Sequence, residues 1–193
     1  MAKSTLSTIE KLLVKKRDEF LVKSALQGDS GAFENLMEFY RKRVTALGMS
    51  FFKNPDDTDD YVQEVFVKVY IHLASFNFKS SFATWVTKIA YNQAISSINR
   101  RKEYYSIADE NILEAKNLTP EEEQIHKLTL ETIRESVQNL PDNYSACIEM
   151  FFFHGLSHEE ISEITGFPVN TIKSHIFRAK KLLAEKLRGL NEQ

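Results

Sequence analysis

Apolar residues in this chain recur at three- and four-residue steps and almost nowhere alternate. After Asp29 and Ser30, which suit a helix cap, Phe33, Leu36, Met37, Tyr40, Val44 and Leu47 mark one helical face, and Asn54-Pro55 stops it. The next segment opens on the carboxylates Asp56, Asp57, Asp59 and Asp60, which favour a helix N-terminus. Its apolar pairs 61/62, 65/66 and 69/70, then Leu73, predict a second helix, and "SFNFKSS" predicts a loop. Phe82, Trp85, Val86 and Ile89 start a third, ending in Arg100, Arg101 and Lys102. The i, i+3 spacing of Phe82 and Trp85 in that stripe predicts core packing rather than stacking on a ligand.

Residues 103–120 lose the periodicity and end at Thr119-Pro120, which predicts a linker. Beyond it, Ile125, Leu128, Ile133, Val137 and Leu140 predict a helix up to Pro141, and "DNYSACIEMFFFHG" predicts a shorter one ended by Gly155. The 193 residues hold only 6 Gly and 4 Pro, 42% are hydrophobic, and no segment reads as a strand. The expected fold is all-α: two small helical domains joined by a flexible linker. The expected boundaries are a basic N-terminal tail over 1–17, a first domain over 18–102, the linker over 103–120 and a second domain over 121–193.

A single cysteine, Cys147, excludes an internal disulfide and a cysteine-based metal cage, and fits a reducing cytoplasm. No run approaches the roughly 20 apolar residues of a membrane span, and the first residues lack a signal peptide's apolar stretch. A formal net charge of −2 does not advertise a nucleic-acid binder, but the charges are segregated. Asp56, Asp57, Asp59, Asp60 and Glu64 cluster without a base among them. Between Thr171 and Arg188, Lys173, Arg178, Lys180, Lys181, Lys186 and Arg188 face only Glu185.

That basic stretch belongs to "LSHEEISEITGFPVNTIKSHIFRAKKLLAEKL". Ser157 with Glu160 predicts a capping box. Gly166 predicts a tight turn with positive φ, and Pro168 the first turn of a new helix. Val169, Ile172, Ile176, Ala179, Leu182 and Leu183 would be its buried stripe. This is the layout of a helix-turn-helix, whose second helix enters the major groove by its N-terminal end. Asn170, Thr171, Lys173 and Ser174 stand there, short enough to reach base edges, and His175, Arg178 and Lys181 follow.

These residues resemble the C-terminal domain of the extracytoplasmic-function (ECF) sigma factors of the sigma-70 family, small bacterial subunits that direct RNA polymerase to promoters. Leu156, Ser157, Glu160, Ile161, Gly166, Thr171, Ile172, Lys173, Ser174, Arg178 and Ala179 match the family pattern. "DDYVQEVFVKVY" and "FKSSFATWVTKIAYNQAI" independently resemble the family's N-terminal half, in the family's order. The likeness covers roughly residues 18–102 and 121–188.

The resemblance implies a DNA-binding transcription initiation factor whose partners are core RNA polymerase, through its clamp coiled coil and flap, and promoter DNA, as duplex and as melted single strand. It implies polymerase contacts at Asp59, Asp60, Gln63 and Glu64. It implies −10 contacts at Asn77, Phe78, Lys79, Ser80, Lys88, Asn92, Asn99, Arg100 and Arg101, with the loop holding an unpaired base. It implies −35 major-groove contacts at Asn170, Thr171, Lys173, Ser174, His175, Arg178 and Lys181. An anti-sigma factor is a further partner of such proteins. No cofactor, metal, catalytic residue or membrane insertion is expected. This sequence departs from the family where Ser96 stands for Asp, Asn99 for Arg, Ser145 for Arg and His175 for Arg. The expected linker of about 18 residues spans at most ~60 Å, enough for two sites one or two DNA turns apart.

The alternative is a helix-turn-helix regulator that acts without being a polymerase subunit, which leaves the first half's motifs unexplained. An enzyme is disfavoured: His154 and His158 are separated by Gly155 and the Ser157 cap, so they do not share the single helix of an H-E-x-x-H site.

Overall fold

A computed structural model describes residues 2–107 and 136–190, with side chains over 9–101 and 136–186. The α-helices whose bounds lie among these residues are α1 Ala2–Leu26, α2 Ser30–Phe52, α3 Pro55–His72, α4 Phe82–Ile107, α5 Asp142–Ile148, α6 His158–Thr165 and α7 Val169–Leu190, and residues 136–138 are helical too. A 3-10 turn, Leu73–Ser75, follows α3, and a π-helical turn, Glu149–Phe153, follows α5. There is no strand among the described residues.

The helix ends are set by local chemistry. The Asp29 carboxylate accepts from Ala32 N at 3.1 Å and opens α2. Lys53, at φ 55, closes it by donating its N–H to Met49 O. Asn54 then accepts from Asp56 N at 2.9 Å, and Pro55 occupies the first position of α3, where its missing N–H costs nothing. Leu36, Tyr40, Val44 and Leu47 of α2 pack on Val62, Val65 and Val69 of α3 and on Val86, Ala90 and Ala94 of α4. Each buried Leu or Val side chain in this set contributes roughly 1.5–3 kcal/mol. Gly48 lets α2 and α3 approach closely: a Cβ there would lie 2.7 Å from the Tyr61 ring. The Tyr61 hydroxyl donates to Ala90 O at 2.8 Å, tying α3 to α4.

Three expected boundaries shift. The N-terminal tail is instead helical from Ala2, since no Gly or Pro precedes Gly28 to break it. The C-terminal half of α1 docks on α2 through Val22 and through buried Asp18, which accepts from the Tyr40 hydroxyl and pairs with Arg17 at 2.6 Å. Second, α4 continues to Ile107, so the first residues assigned to the linker extend the helix. Third, the short helix of the second domain changes to π-helical form at Glu149 before Gly155, at φ +65, ends it. The rest of the expected linker and most of the helix expected over 121–140 lie outside the described residues.

In the second module Ile148, Met150, Leu156, Ile161, Ile164, Ile172, Ile176 and Ala179 are buried together. This cluster is continuous with the core of the first module, because α2 packs against α5 and α4 against α6.

Candidate functional site

The tip of α7 is built by the turn before it. Ser157 Oγ accepts from Glu160 N at 3.1 Å and Glu160 Oε2 accepts from Ser157 N at 2.9 Å, the reciprocal box that starts α6. Gly166 reverses the chain at φ +76. Ser162 Oγ donates to Phe167 O at 2.6 Å, and Thr165 Oγ1 accepts from Phe167 N at 3.2 Å, which fixes the turn. Pro168 stands just before α7 rather than in its first turn, and its carbonyl accepts from Thr171 N at 2.8 Å.

Ile172, Ile176 and Ala179 then face the module's interior. Asn170, Lys173, Arg178 and Lys181 are exposed, and Thr171 and Ser174 are half-buried beside them. His175 departs from the expected groove face. Its ring lies 5.1 Å from the Tyr144 ring and 5.6 Å from the Phe167 ring, and Nδ1 is 3.9 Å from Cys147 Sγ. Desolvation, then the Arg178 charge, holds its pKa below the usual histidine range, so it is a poor substitute for an arginine. Leu182, expected in the buried stripe, is exposed. Sequence reasoning also passed over Phe177, which is 70% exposed on α7, between exposed Lys173 and Lys181. The available signal was a large aromatic one step off the buried positions.

The loop before α4 is shaped by a second device. Asn77 Oδ1 accepts from Lys79 N at 3.1 Å, and Phe78 sits at φ 60. Beneath it Phe76 packs against Phe78, Phe82 and Trp85, with centroid separations of 4.7, 5.4 and 5.3 Å. Phe82 is buried and Trp85 half-buried, as the stripe predicts. Asn77 and Lys79 remain exposed, with Ser80 half-buried. Lys88, Asn92, Asn99, Arg100 and Arg101 continue along the exposed side of α4.

On α3, Asp59, Asp60, Gln63 and Glu64 are exposed together. The two arginines expected to meet DNA lean toward this acidic helix. Arg101 forms two hydrogen bonds to Asp57, at 2.6 and 3.1 Å, and its hydrogen bond and charge hold the Asp57 carboxyl below its usual pKa. Arg100 lies 3.8 Å from Glu64, which also accepts from Gln93. A cleft of about 400 Å³ runs between α3 and α4 along these residues.

Nucleophilic and metal chemistry find little support. Burial pushes the Cys147 thiol up to about 12, and His154 is enclosed and held to about 3 by desolvation and by Arg43. His158 stacks on Phe151 at 4.7 Å, on a different element from His154. Among the described residues, no group of three or more His, Cys, Asp or Glu could hold a metal, and no helix is long and apolar enough to cross a membrane.

Comparison with known proteins matches this layout. The family pattern "Sigma-70 region 2" matches residues 36–104, and "Sigma-70, region 4" matches residues 130–183. The chain is 33% identical over 186 residues to the ECF RNA polymerase sigma-E factor of Haemophilus influenzae, covering 90% of this chain and 96% of that one. It is 30% identical over 190 residues to the ECF RNA polymerase sigma factor SigW of Bacillus subtilis, covering 93% and 99%. Its fold resembles that of the sigma factor RpoE of Bartonella quintana, solved with the anti-sigma factor NepR. The TM-score is 0.70 at 24% identity, covering 81% of this chain and 96% of that one. With both sigma-70 regions present in order and relatives matched over almost their whole length, the chain belongs to the ECF RNA polymerase sigma factors.

Proposed function

We infer that this chain binds core RNA polymerase and directs it to promoters, so that transcription starts at sites the chain selects. The observation that carries this reading is the pairing of the two sigma-70 regions on one chain with opposite surface chemistry: exposed carboxylates on α3 and exposed bases on α7. Asp59, Asp60, Gln63 and Glu64 would meet the polymerase clamp. The loop of Asn77, Phe78, Lys79 and Ser80 would hold an unpaired −10 base, with Lys88, Asn92, Asn99, Arg100 and Arg101 along the strand. Asn170, Thr171, Lys173, Ser174, Arg178 and Lys181 would enter the −35 major groove, and His175 would support α7 from behind. The relatives are ECF RNA polymerase sigma factors by name, and the work assigned to this chain is binding, with no covalent step. It would be done in the cytoplasm, where polymerase and chromosome meet. An anti-sigma factor is a further partner, as for the solved RpoE.

The test is reconstituted transcription: purified core enzyme with and without the chain, on genomic fragments, with start sites mapped. New, discrete starts are expected, and their absence defeats the reading. Asp60→Lys is expected to abolish capture of core enzyme while leaving the helical content intact. Capture at the parent level rules out the α3 interface.

A further inference from the structure

The first helix carries an apolar face that its own module does not bury. α1 is 25 residues long, about 37 Å. Its second half docks through Asp18 and Val22, which are buried, with Leu21 and Ala25 half-buried beside them. From Ile9 to Lys16 every residue is exposed, and beyond them Phe20 is exposed again. At about 100° per residue, Ile9, Leu13 and Phe20 fall within about 40° of one another, roughly 180° from the docked line of Asp18 and Val22. Leu13 is 62% exposed and Phe20 69%, which leaves most of each side chain in water. Lys16 stands in line with them, and exposed Leu12 lies at the edge. The steps from Ile9 to Leu13, Lys16 and Phe20 are four, three and four residues, the a/d spacing of a helix–helix seam. Charge is uneven around that seam. Lys11, Lys15, Lys16 and Lys23 are exposed, against exposed Glu10 and half-buried Glu19, while Arg17 and Asp18 pair with each other.

We propose that α1 is a docking helix: its seam of Ile9, Leu13, Lys16 and Phe20 receives an acidic amphipathic helix of a partner protein, apolar at heptad spacing and carrying a carboxylate opposite Lys16. The three apolar side chains supply the contact area, and the partner's helix is what a four-three-four spacing fits. Lys16 supplies the selectivity. Set against an apolar residue, its ammonium would lose water without gaining a partner, whereas a carboxylate there satisfies it. The flanking lysines extend the same preference for acid along both turns. They also oppose pairing with a second copy of this chain, which would bring four more lysines to the seam. An anionic membrane would attract the lysines, but a helix lying in the lipid interface buries a continuous apolar face, and Lys16 interrupts this one at its middle. The residues read above as polymerase contacts stand on α3, so the α1 seam is a separate surface, by which a further protein is brought to the chain.

The probe is a fluorescent synthetic helix of about four heptads with Leu at a and d, Glu at e and g, and one central d position also Glu to face Lys16. Its like charges keep it from pairing with itself. Binding to the full chain is read by anisotropy, beside a control peptide in which every Glu is Lys. The acidic peptide is expected to bind at least tenfold more tightly than the control. Leu13→Gln and Phe20→Gln are each expected to weaken it roughly tenfold, the worth of one buried apolar side chain. Lys16→Glu is expected to weaken it as well, and a peptide with Lys at the central d position alone is expected to restore binding to that variant. All three positions are exposed, so helical content and capture of core enzyme are expected to stay at the parent level. Equal binding of the two peptides overturns the inference, as does binding that survives Leu13→Gln and Phe20→Gln or a Lys16→Glu variant that no peptide rescues. Retention of the chain on phosphatidylglycerol vesicles that Leu13→Gln abolishes would make the seam a membrane face. Sedimentation as a dimer that Phe20→Gln turns to monomer would give it to a second copy, and loss of core capture in these variants would give it to polymerase. Each of those three results also overturns the inference.

Discussion

Lys173 and Arg178 show how a side chain's neighbours decide what it can offer DNA. Lys173 is exposed at the front of α7, and Arg178 is exposed with a 3.5 Å contact to the Tyr144 hydroxyl. Among the described residues, neither must break a short ion pair to reach a phosphate or a base edge. Replacing either by Ala is expected to weaken duplex binding by the assembled polymerase and to reduce the salt slope by about 1, measured as affinity against salt concentration. A replacement that weakens binding at one sequence more than at others reads a base, and one that weakens all equally holds a phosphate. Arg101 is different, because Asp57 already engages it through two hydrogen bonds. That pair is half-exposed, with side-chain exposures of 49% and 35%, so it contributes little to folding, about 0–1 kcal/mol. A double-mutant cycle of Asp57→Asn and Arg101→Ala in urea unfolding is expected to give a coupling below about 1 kcal/mol. A larger value marks the pair as structural and removes Arg101 from the DNA-facing set.

The helix-turn-helix was legible because its signals are local. The Ser157 and Glu160 box, Gly166 at φ +76 and the buried Ile172, Ile176 and Ala179 all stand where the sequence pattern puts them. Ser157→Ala is expected to cost about 1 kcal/mol of stability, read as a lower denaturation midpoint. Less local features escaped. Nothing in the first residues of the chain announces that Asp18 is buried against Tyr40, so a segment that continues a docked helix read as a tail. His175 looked like one more member of a polar row, but its surroundings come from Tyr144, Cys147 and Phe167, contributed by α5 and the turn before α7. Phe177 was missed because the pattern sorts apolar residues into the core, and its exposure depends on which side α5 and α6 cover. Gly48 carries a similar tertiary meaning. Its hydrogen faces the Tyr61 ring and the Thr58 methyl, at 2.7 and 2.9 Å from a built Cβ. Gly48→Ala is therefore expected to push α2 from α3 and destabilise the first module by about 1–3 kcal/mol in thermal unfolding, despite the better helix propensity of alanine.

At the boundary between the modules, His154 is expected to couple their packing to pH. His154 ends the π-helical turn and is nine-tenths enclosed by the packing of that turn on α2. It faces Arg43 of α2 and Glu149 of its own turn, with Arg41 and Lys42 lining the same cleft. Desolvation first, then the Arg43 charge, lower its pKa from 6.5 to about 3. The imidazole is thus neutral when the modules are packed. When they separate or unfold, it regains water and binds a proton from about pH 6.5 downward. The open form then binds more protons than the packed one, so packing is strongest above about pH 6.5 and weakens as pH falls from there toward about 3. At about pH 5 the loss is about 2 kcal/mol, from roughly 1.4 kcal/mol for each unit below 6.5. The distance between labels at Lys68 and Lys180 is expected to lengthen between about pH 7.5 and about pH 5. His154→Gln, which cannot take the proton, is expected to keep one distance across that range. If the parent and the Gln variant change alike, the response belongs to the carboxylates, and His154 is only a space-filling group at the boundary.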